Sequence, residues 1–333
     1  MRQVAVPPRC DGEMGVSTSI ELTTSRIQAA LRKEDSLRGY LLVDPYLREP
    51  LAEHLPMPGE REVVPIPVAS ESLLDHQHPR LICFDHDDVE LIEASVQAAC
   101  DEQSDSHDEV VRGFTVGGWL VSTLPPEIVA VHLARVMVSP RPRVGRKYVR
   151  WADRRVLEWM WPALNDLQRS DLFGPITAWH VLDRNAELVE RIPPAAFDPY
   201  ASRSRATFFA LDDAQWSRVD RSAMVQDLLR GWCVFERELP DDYLNQADAA
   251  VADAQALGLT QVADIVLLGA YVLQIHPALC KHARVIELVK STLSDRASLS
   301  ERLGAVGDDV WDAMRLELEQ KTSHDTSIAM ARR

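Results

Sequence analysis

The spacing of apolar residues changes near residue 211, and this change constrains the fold more than any other feature of the sequence. Before it, short apolar runs typical of strands alternate with segments whose apolar residues recur every three or four positions, as in helices. After it, only the helical spacing continues. A chain of this pattern favours an α/β lobe followed by an all-α lobe.

The first lobe is predicted to contain six strands with helices between most of them. The predicted strands are residues 39–43, 81–84, 119–122, 147–152, 177–182 and 206–211, and the predicted helices are 20–33, 88–100, 126–137 and 154–167. Strands that are separated by helices are typical of crossover connections. We therefore expect a mixed, partly parallel sheet with flanking helices.

The second lobe is predicted to be a helical bundle. Its helices are expected at residues 211–232, 241–257, 261–275, 281–293 and 299–320. Gly258 is a natural helix stop and Thr260 a natural N-cap, and the helix at 261–275 is apolar on nearly all sides. The expected organisation is a flexible tail at 1–18, an α/β domain at 19–210, a helical domain at 211–320 and a flexible tail at 321–333.

Charge and composition narrow the range of partners. Lys and Arg number 36 against 51 Asp and Glu, a net charge of −15, which opposes binding to nucleic acid and to anionic membranes. The five cysteines are scattered without a CxxC pair, and no apolar run approaches the roughly 20 residues of a membrane span. We expect a cytoplasmic protein without nucleic-acid or membrane partners.

A cluster of His and Asp residues is the one feature that suggests catalysis. The sequences DHQH at 75–78 and DHDD at 85–88 supply imidazole and carboxylate groups that suit zinc or iron. Their spacing matches no established metal site, and Asp87 and Asp88 also suit a helix start. The motifs GxSxG, HExxH and SxxK are absent from the sequence. A metal-dependent hydrolase is therefore the alternative hypothesis, whereas the main expectation includes no catalytic residue, metal or cofactor.

Basic residues are concentrated between residues 141 and 155, although the chain as a whole is acidic. Internal pairing with the surplus carboxylates is one interpretation, and a surface for an acidic partner protein is the second. Contact with the phosphates of nucleic acid is a third, which the few aromatic residues in this stretch do not favour. The basic residues are Arg141, Arg143, Arg146, Lys147, Arg150, Arg154 and Arg155.

The same stretch begins a two-part motif, RWADRRVLEWMWPAL at 150–164 and FGPITAWHVLD at 173–183. It resembles the signature of the type VI secretion adaptor family, which is built on a domain long known only as one of unknown function. Arg154 departs from the family pattern, which has Pro there. Segments 39–45 and 117–137 are also similar, as is the helical region from Asp241 onward with its ALGL and IHP sequences, so the resemblance covers most of residues 37 to about 315. The matching residues are Arg150, Trp151, Asp153, Arg155, Val156, Leu157, Gly174, Pro175 and Trp179.

The resemblance implies a function in protein binding. Members of that family bind a toxic effector and help to load it onto the VgrG spike or its PAAR tip. The resemblance brings no catalytic residues and no cofactor. We therefore expect a non-catalytic adaptor or chaperone, with a type VI effector and a VgrG or PAAR component as partners.

The residues of the motif also have a physical interpretation of their own. Asp153 is placed to cap the following helix, and Arg150 and Arg155 are expected to bracket its carboxylate. Trp159 and Trp161 lie two positions apart on a predicted helix, so they cannot face the same side. The signature residues Arg150, Trp151, Asp153, Arg155, Gly174, Pro175 and Trp179 are thus structural or partner-binding, and Arg143, Arg146, Trp159 and Trp161 are further candidates for partner binding.

Overall fold

The computed structural model describes residues 13–49, 51, 61–71, 73–104, 106–194, 209–235, 239–295 and 298–331. The chain divides into two compact units, Met1–Trp216 and Ser217–Arg333. The first unit carries the strands, and the described part of the second is helical. An α/β unit followed by a helical unit is therefore confirmed as the coarse architecture.

The first unit alternates strands and helices along most of its length. Short 3-10 helices precede the third strand, at Asp75–Gln77, and follow the fifth helix, at Trp161–Ala163. In chain order the elements are α1 (Glu13–Leu31), β1 (Arg38–Val43), β2 (Val63–Pro65), β3 (Arg80–Phe84), α2 (Val89–Ser104), α3 (Ser106–Arg112), β4 (Val116–Ser122), α4 (Pro126–Val136), β5 (Val138–Arg141), β6 (Gly145–Tyr148), α5 (Arg154–Met160), α6 (Asp166–Phe173), β7 (Ile176–Leu182) and β8 (Leu188–Arg191).

The main sheet is antiparallel, which corrects the predicted partly parallel sheet. Its strand order is β2-β3-β1-β4-β7-β8, and every pairing between neighbours in the described residues is antiparallel. The helices α2 and α3 do connect two strands that run in the same direction, β3 and β4. However, β1 lies between these strands and runs opposite to both. The crossover is real, but an inserted strand removes the parallel pairing.

Burial on both faces of the sheet explains why the apolar pattern resembled that of a parallel sheet. Leu41 and Trp119 face the helices α1 and α2, whereas Tyr40 and Leu120 face the opposite side. The helices α4, α5 and α6 pack on that opposite side. All seven residues of β4 are buried. A strand covered on both faces is apolar almost throughout, a pattern that is common in parallel sheets.

Several individual predictions are corrected. The strand predicted at 147–152 ends at Tyr148, and it pairs with β5 in a separate two-stranded hairpin. The strand predicted at 206–211 lies partly outside the described residues, and residues 209–211 are not a strand. The helix predicted at 154–167 is two helices, because Pro162 cannot donate a backbone hydrogen bond and Asn165 starts α6 with a reciprocal capping box. The strands β2, β5 and β8 were not predicted.

The second unit is built from α7 (Asp213–Phe235, which begins in the first unit), α8 (Tyr243–Ala256), α9 (Val262–Ile275), α10 (Ala283–Asp295), α11 (Leu299–Gly304) and α12 (Asp308–Ala331). Gly258 follows α8 at φ 92°, which confirms the predicted stop. The N-cap of α9 is Gln261, so the prediction of Thr260 is wrong. In α9, Leu268 and Gly269 are buried, and Gly269 lies against Leu228 of α7 and Ala250 of α8.

The two ends of the chain carry helices beyond the predicted domain limits. Helix α1 begins at Glu13, and α12 continues to Ala331. The rest of the predicted tails, residues 1–12 and 332–333, lies outside the described residues. Of the helices that the structure describes, none combines the length and the apolar character that a bilayer crossing requires.

Candidate functional site

The signature region surrounds a buried network of charged side chains in the first unit. Arg150 follows the hairpin β5–β6 and donates two hydrogen bonds to Asp44 Oδ2, from Nε at 3.0 Å and from Nη2 at 2.8 Å. Asp44 is fully buried at the end of β1. Burial raises the pKa of Asp44 above its ordinary value, and the guanidinium of Arg150 opposes this rise. The contact fixes the segment after the hairpin to the main sheet.

Asp153 caps α5, as predicted, and is held by the expected arginines. Its Oδ1 accepts from the backbone N–H of Arg155 at 3.1 Å, and its Oδ2 accepts from Arg155 Nη2 at 2.7 Å. Arg150 lies on the other side, with Nη1 at 3.8 Å from Oδ2. Although burial raises the pKa of Asp153, Arg155 and Arg150 hold it below the ordinary value. The carboxylate is therefore a structural anion, engaged on both sides.

Arg155 continues the network to a second carboxylate that the sequence did not reveal. Its Nη1 lies 2.9 Å from Oε1 of Glu109 on α3, and Arg184, in the turn after β7, donates two hydrogen bonds of 2.8 Å to the same carboxylate. Burial raises the pKa of Glu109, but Arg184 and Arg155 bring it below its ordinary value. Glu109 thereby ties the helix α3 to α5 and to the turn between β7 and β8.

Arg154 makes a third pair and is the most deeply buried arginine of the motif, at 2% exposure. It pairs with Glu102 of α2, and its Nη2 donates to the carbonyl of Ala99 at 2.6 Å. Glu102 also accepts from the backbone N–H of Thr115 at 2.6 Å. Internal pairing was one interpretation of the basic stretch, and Arg154 fits it, although neither its partner nor its burial was predicted.

A single phenylalanine ring organises these guanidinium groups. The central carbons of Arg154, Arg155 and Arg184 lie 4.0, 4.6 and 5.5 Å from the ring centroid of Phe114. Phe114 is 2% exposed, so these cation–π contacts are shielded from water. The ring and the carboxylates together explain how the structure keeps several arginines away from solvent.

Trp151 and Trp179 are core residues. Both are fully buried, and each donates its indole N–H to a backbone carbonyl at 3.0 Å, Trp151 to Val136 and Trp179 to Gly117. The ring of Trp151 also meets Phe209 edge-on, with centroids 5.7 Å apart. These two signature residues therefore serve packing and not an exposed surface.

Trp159 and Trp161 face different ways, which confirms the prediction from their spacing. Trp159 is 1% exposed, whereas Trp161 is half-buried. The ring of Trp161 meets Phe173 edge-on at 5.6 Å and carries the guanidinium groups of Arg169 and Arg191 at 5.1 and 5.5 Å. Of the two candidates, Trp161 is the one that retains surface.

Gly174 and Pro175 form the turn between α6 and β7. Gly174 has φ 50° and ψ −113°, and a Cβ atom at this position would overlap the ring of His132. His132 Nε2 lies 2.9 Å from the carbonyl of Leu172, and the carbonyl of Pro175 accepts from Ser122 Oγ at 2.7 Å. The Gly-Pro pair thus permits a close approach of α6, α4 and β4.

The remaining two candidates, Arg143 and Arg146, lie on the hairpin β5–β6, which immediately precedes Arg150. Both side chains are exposed. Arg146 pairs in register with Pro140, and Lys147 with the buried Ser139. The hairpin tip carries Arg143 at φ 63°. The structure therefore separates the basic stretch into arginines with buried partners, from Arg150 onward, and an exposed basic hairpin.

The residues of the alternative metal hypothesis do not come together. The motif at 75–78 precedes β3 and the motif at 85–88 follows it, and a five-residue strand separates them by roughly 16 Å. Asp88 is held by Arg61, with two contacts of 2.7 Å, and His78 Nδ1 lies 3.2 Å from a backbone carbonyl. Within the described ranges, no three His, Cys, Asp or Glu side chains are grouped to hold a metal ion. The hydrolase alternative stays a prediction.

Comparisons with protein-family models, with curated proteins and with solved structures gave no match. The resemblance to the type VI secretion adaptor family therefore remains a prediction from the motif.

Proposed function

We propose that this protein is a non-catalytic adaptor that binds a type VI effector in the cytoplasm and helps to load it onto a VgrG or PAAR spike component. The observation that carries the proposal is the placement of the charged signature residues. Arg150, Asp153 and Arg155 make their ion pairs within the first unit, with partners on β1, α3 and α5. A motif whose charged residues pair within the chain stabilises the fold. Binding is then carried out by the surface that this fold exposes.

The arrangement of the motif also supports binding over catalysis. A catalytic acid or base needs an accessible carboxylate or imidazole in a cleft beside the substrate. The carboxylates that the signature gathers are instead engaged by arginines, and Asp44, Glu102, Glu109 and Asp153 keep at most 4% of their surface exposed. The exposed feature of the region is the basic hairpin, whose side chains suit contact with another protein.

Co-expression tests the proposal. The protein and the effector encoded beside its gene are expressed together, purified through a tag on the effector and passed over a size-exclusion column. We expect one stoichiometric complex, which then binds the VgrG or PAAR component encoded nearby. A secreted protein from an unrelated system serves as the control client and is expected to elute alone. Separate elution of the adaptor and every neighbouring effector would contradict the proposal.

A further inference from the structure

A groove runs between the hairpin β5–β6 and residues 69–71. Its volume is about 800 Å³, within the range of sites that hold sizeable ligands. One wall is the hairpin, and the other is the loop before the 3-10 helix that leads to β3. The lining residues are Ala69, Ser70, Glu71, Val138, Arg146, Lys147 and Tyr148.

The hairpin wall is strongly basic. Residues 138–148 contain Arg141, Arg143, Arg146 and Lys147 and no Asp or Glu, in a chain with a net charge of −15. Arg143 and Lys147 are exposed, and neither forms an ion pair with any residue in the part of the chain that the structure describes. Among the described residues of the groove lining, Glu71 is the acidic one, and Arg146 and Lys147 are the cations.

The tip of the hairpin is held in a costly conformation. The N–H of Val144 donates to the carbonyl of Arg141 at 3.1 Å, which closes a turn with Pro142 and Arg143 at its centre. Arg143 has φ 63°, a left-handed conformation that Gly or Asn adopts more easily and that costs another residue about 1 kcal/mol. Strain of this kind often marks ligand-binding segments. Arg143 thus places a cation at a position of the turn where the backbone conformation favours glycine.

We infer that the hairpin, with the groove at its base, binds an acidic segment of polypeptide, whose carboxylates pair with Arg143 at the hairpin tip and with Lys147 in the groove lining. Carboxylates on an extended chain can reach separate cations such as Arg143 and Lys147, whereas a nucleic acid would bring a continuous polyanion against a protein with a large negative charge. The inference rests on the proposed adaptor role in one respect only: the acidic segment is taken to belong to the client protein.

The first test uses a fluorescein-labelled peptide of alternating Glu and Ser, and a control peptide with Gln in place of Glu. Fluorescence anisotropy with the full-length protein is expected to show binding of the Glu peptide that weakens as salt is added. The Gln peptide is expected not to bind. Equal binding of both peptides, or binding of neither, overturns the inference.

The second test uses a double variant, Arg143→Gly with Lys147→Gln. We expect at least about a tenfold loss of affinity for the Glu peptide, since two charge-assisted contacts are removed. Its thermal stability should be unchanged or higher, because glycine relieves the strain at the turn. The matched control, Arg284→Gln with Lys290→Gln, removes two exposed cations from α10 and should leave the affinity unchanged. An equal loss in both variants would assign binding to the overall charge and overturn the proposal.

Two further outcomes are distinguishable. A single-stranded oligonucleotide that competes with the Glu peptide and binds more tightly would make the groove a phosphate site and refute the inference. A complex with the neighbouring effector that is insensitive to the double variant would refute the inference and leave the adaptor role intact. If the Glu peptide binds but no effector forms a complex, the binding site for acidic segments is supported and the adaptor role is refuted.

Discussion

Arg154 and Glu102 form an ion pair inside the first unit, where they keep 2% and 3% of their surface exposed. The pair joins the start of α5 to the last turn of α2. Arg154 also donates to the carbonyls of Val116 and Ala99, and Glu102 accepts from Thr115, so each charge has hydrogen bonds in addition to its ion pair. A buried charge left without its partner is strongly unfavourable. The pair is therefore a point at which the fold is vulnerable.

Replacement of Arg154 by Pro, the residue usual in the family it resembles, is expected to destabilise the protein by about 3 kcal/mol. Proline itself fits the first position of a helix, so the loss comes from Glu102, which is left buried opposite Arg48 at 3.4 Å as its remaining cation. Urea denaturation followed by tryptophan fluorescence measures the change.

Arg154→Met is expected to lose a similar amount of stability, because it also leaves the Glu102 charge in place. The double variant Arg154→Met with Glu102→Gln should recover part of the loss, since Gln keeps an oxygen for the N–H of Thr115 and carries no charge. If the loss of stability in the double variant equals the sum of the losses in Arg154→Met and Glu102→Gln, the two residues are not coupled. The ion pair is then not the cause of the loss.

Acid should weaken the first unit through Asp153 and Glu109, whose pKa values lie below the ordinary 3.8 and 4.5. The unfolded chain takes up protons on these carboxyls at a higher pH than the folded protein does. Their contribution is thus complete above the ordinary values and is lost as the pH falls through the lower values of the folded state. Denaturation midpoints measured across the acid range should fall steeply in the wild type. Asp153→Asn should be less stable at neutral pH and show a shallower acid decline.

The sequence correctly predicted those elements that are determined by residues close together in the chain. The helix that begins at Pro126 is predicted from Pro125, Pro126 and its own apolar stripe. The cap at Asp153 is predicted from its position directly before α5. The pairing of strands depends on distant segments: β1 separates β3 from β4, and no local pattern records that insertion. The parallel character was wrongly predicted for this reason.

The partners of the motif were hidden by the same kind of distance. Glu102 is 52 residues from Arg154, Glu109 is 46 from Arg155, and Asp44 is 106 from Arg150. Glu102 and Glu109 lie beyond the helix predicted at 88–100, in a stretch rich in Asp and Glu that carries no local sign of burial. The sequence did carry one signal, the excess of basic residues between 141 and 155. This excess indicated either carboxylates within the chain or an acidic partner protein. It did not indicate which arginines pair with carboxylates of the chain.

Glu158 gives a pH dependence of opposite sign. It is 7% exposed on α5, and burial raises its pKa to about 7, although Arg184 opposes the rise. Because the folded state holds this proton more tightly than the unfolded chain, its protonation favours folding at low pH, and that benefit is lost as the pH rises toward about 7. Glu158→Gln stays neutral and keeps an oxygen for the backbone N–H of Arg184. It should exceed the wild type in stability by roughly 2 kcal/mol near pH 8 and match it near pH 5.

If the difference in stability between Glu158→Gln and the wild type is the same near pH 5 and near pH 8, the role given to the Glu158 proton is contradicted. Asp227→Asn on α7 is a suitable control, since its carboxylate is more exposed, at 39%, and pairs with Arg230 on its own helix. The control is expected to change stability by less than about 0.5 kcal/mol at either pH.

Gly174 should be harder to replace than Gly145, and two variants separate the reasons. Both Gly174 and Gly145 have positive φ, at 50° and 100°, but a Cβ at Gly145 would meet nothing within 4 Å, whereas one at Gly174 would overlap His132. Gly145→Ala is therefore expected to cost about 1 to 2 kcal/mol, the backbone penalty alone. Gly174→Ala should cost more, by at least about 1 kcal/mol, because the His132 ring must move and its contact with the carbonyl of Leu172 is lost.

A double-mutant cycle isolates the contact between Gly174 and His132. His132→Ala opens the space beside Gly174, so Gly174→Ala should cost no more in that background than Gly145→Ala does in the wild type. Urea denaturation of the three variants gives the coupling energy. An undiminished cost in the His132→Ala background would show that the φ and ψ of the turn, and not the approach of α4, require glycine at this position.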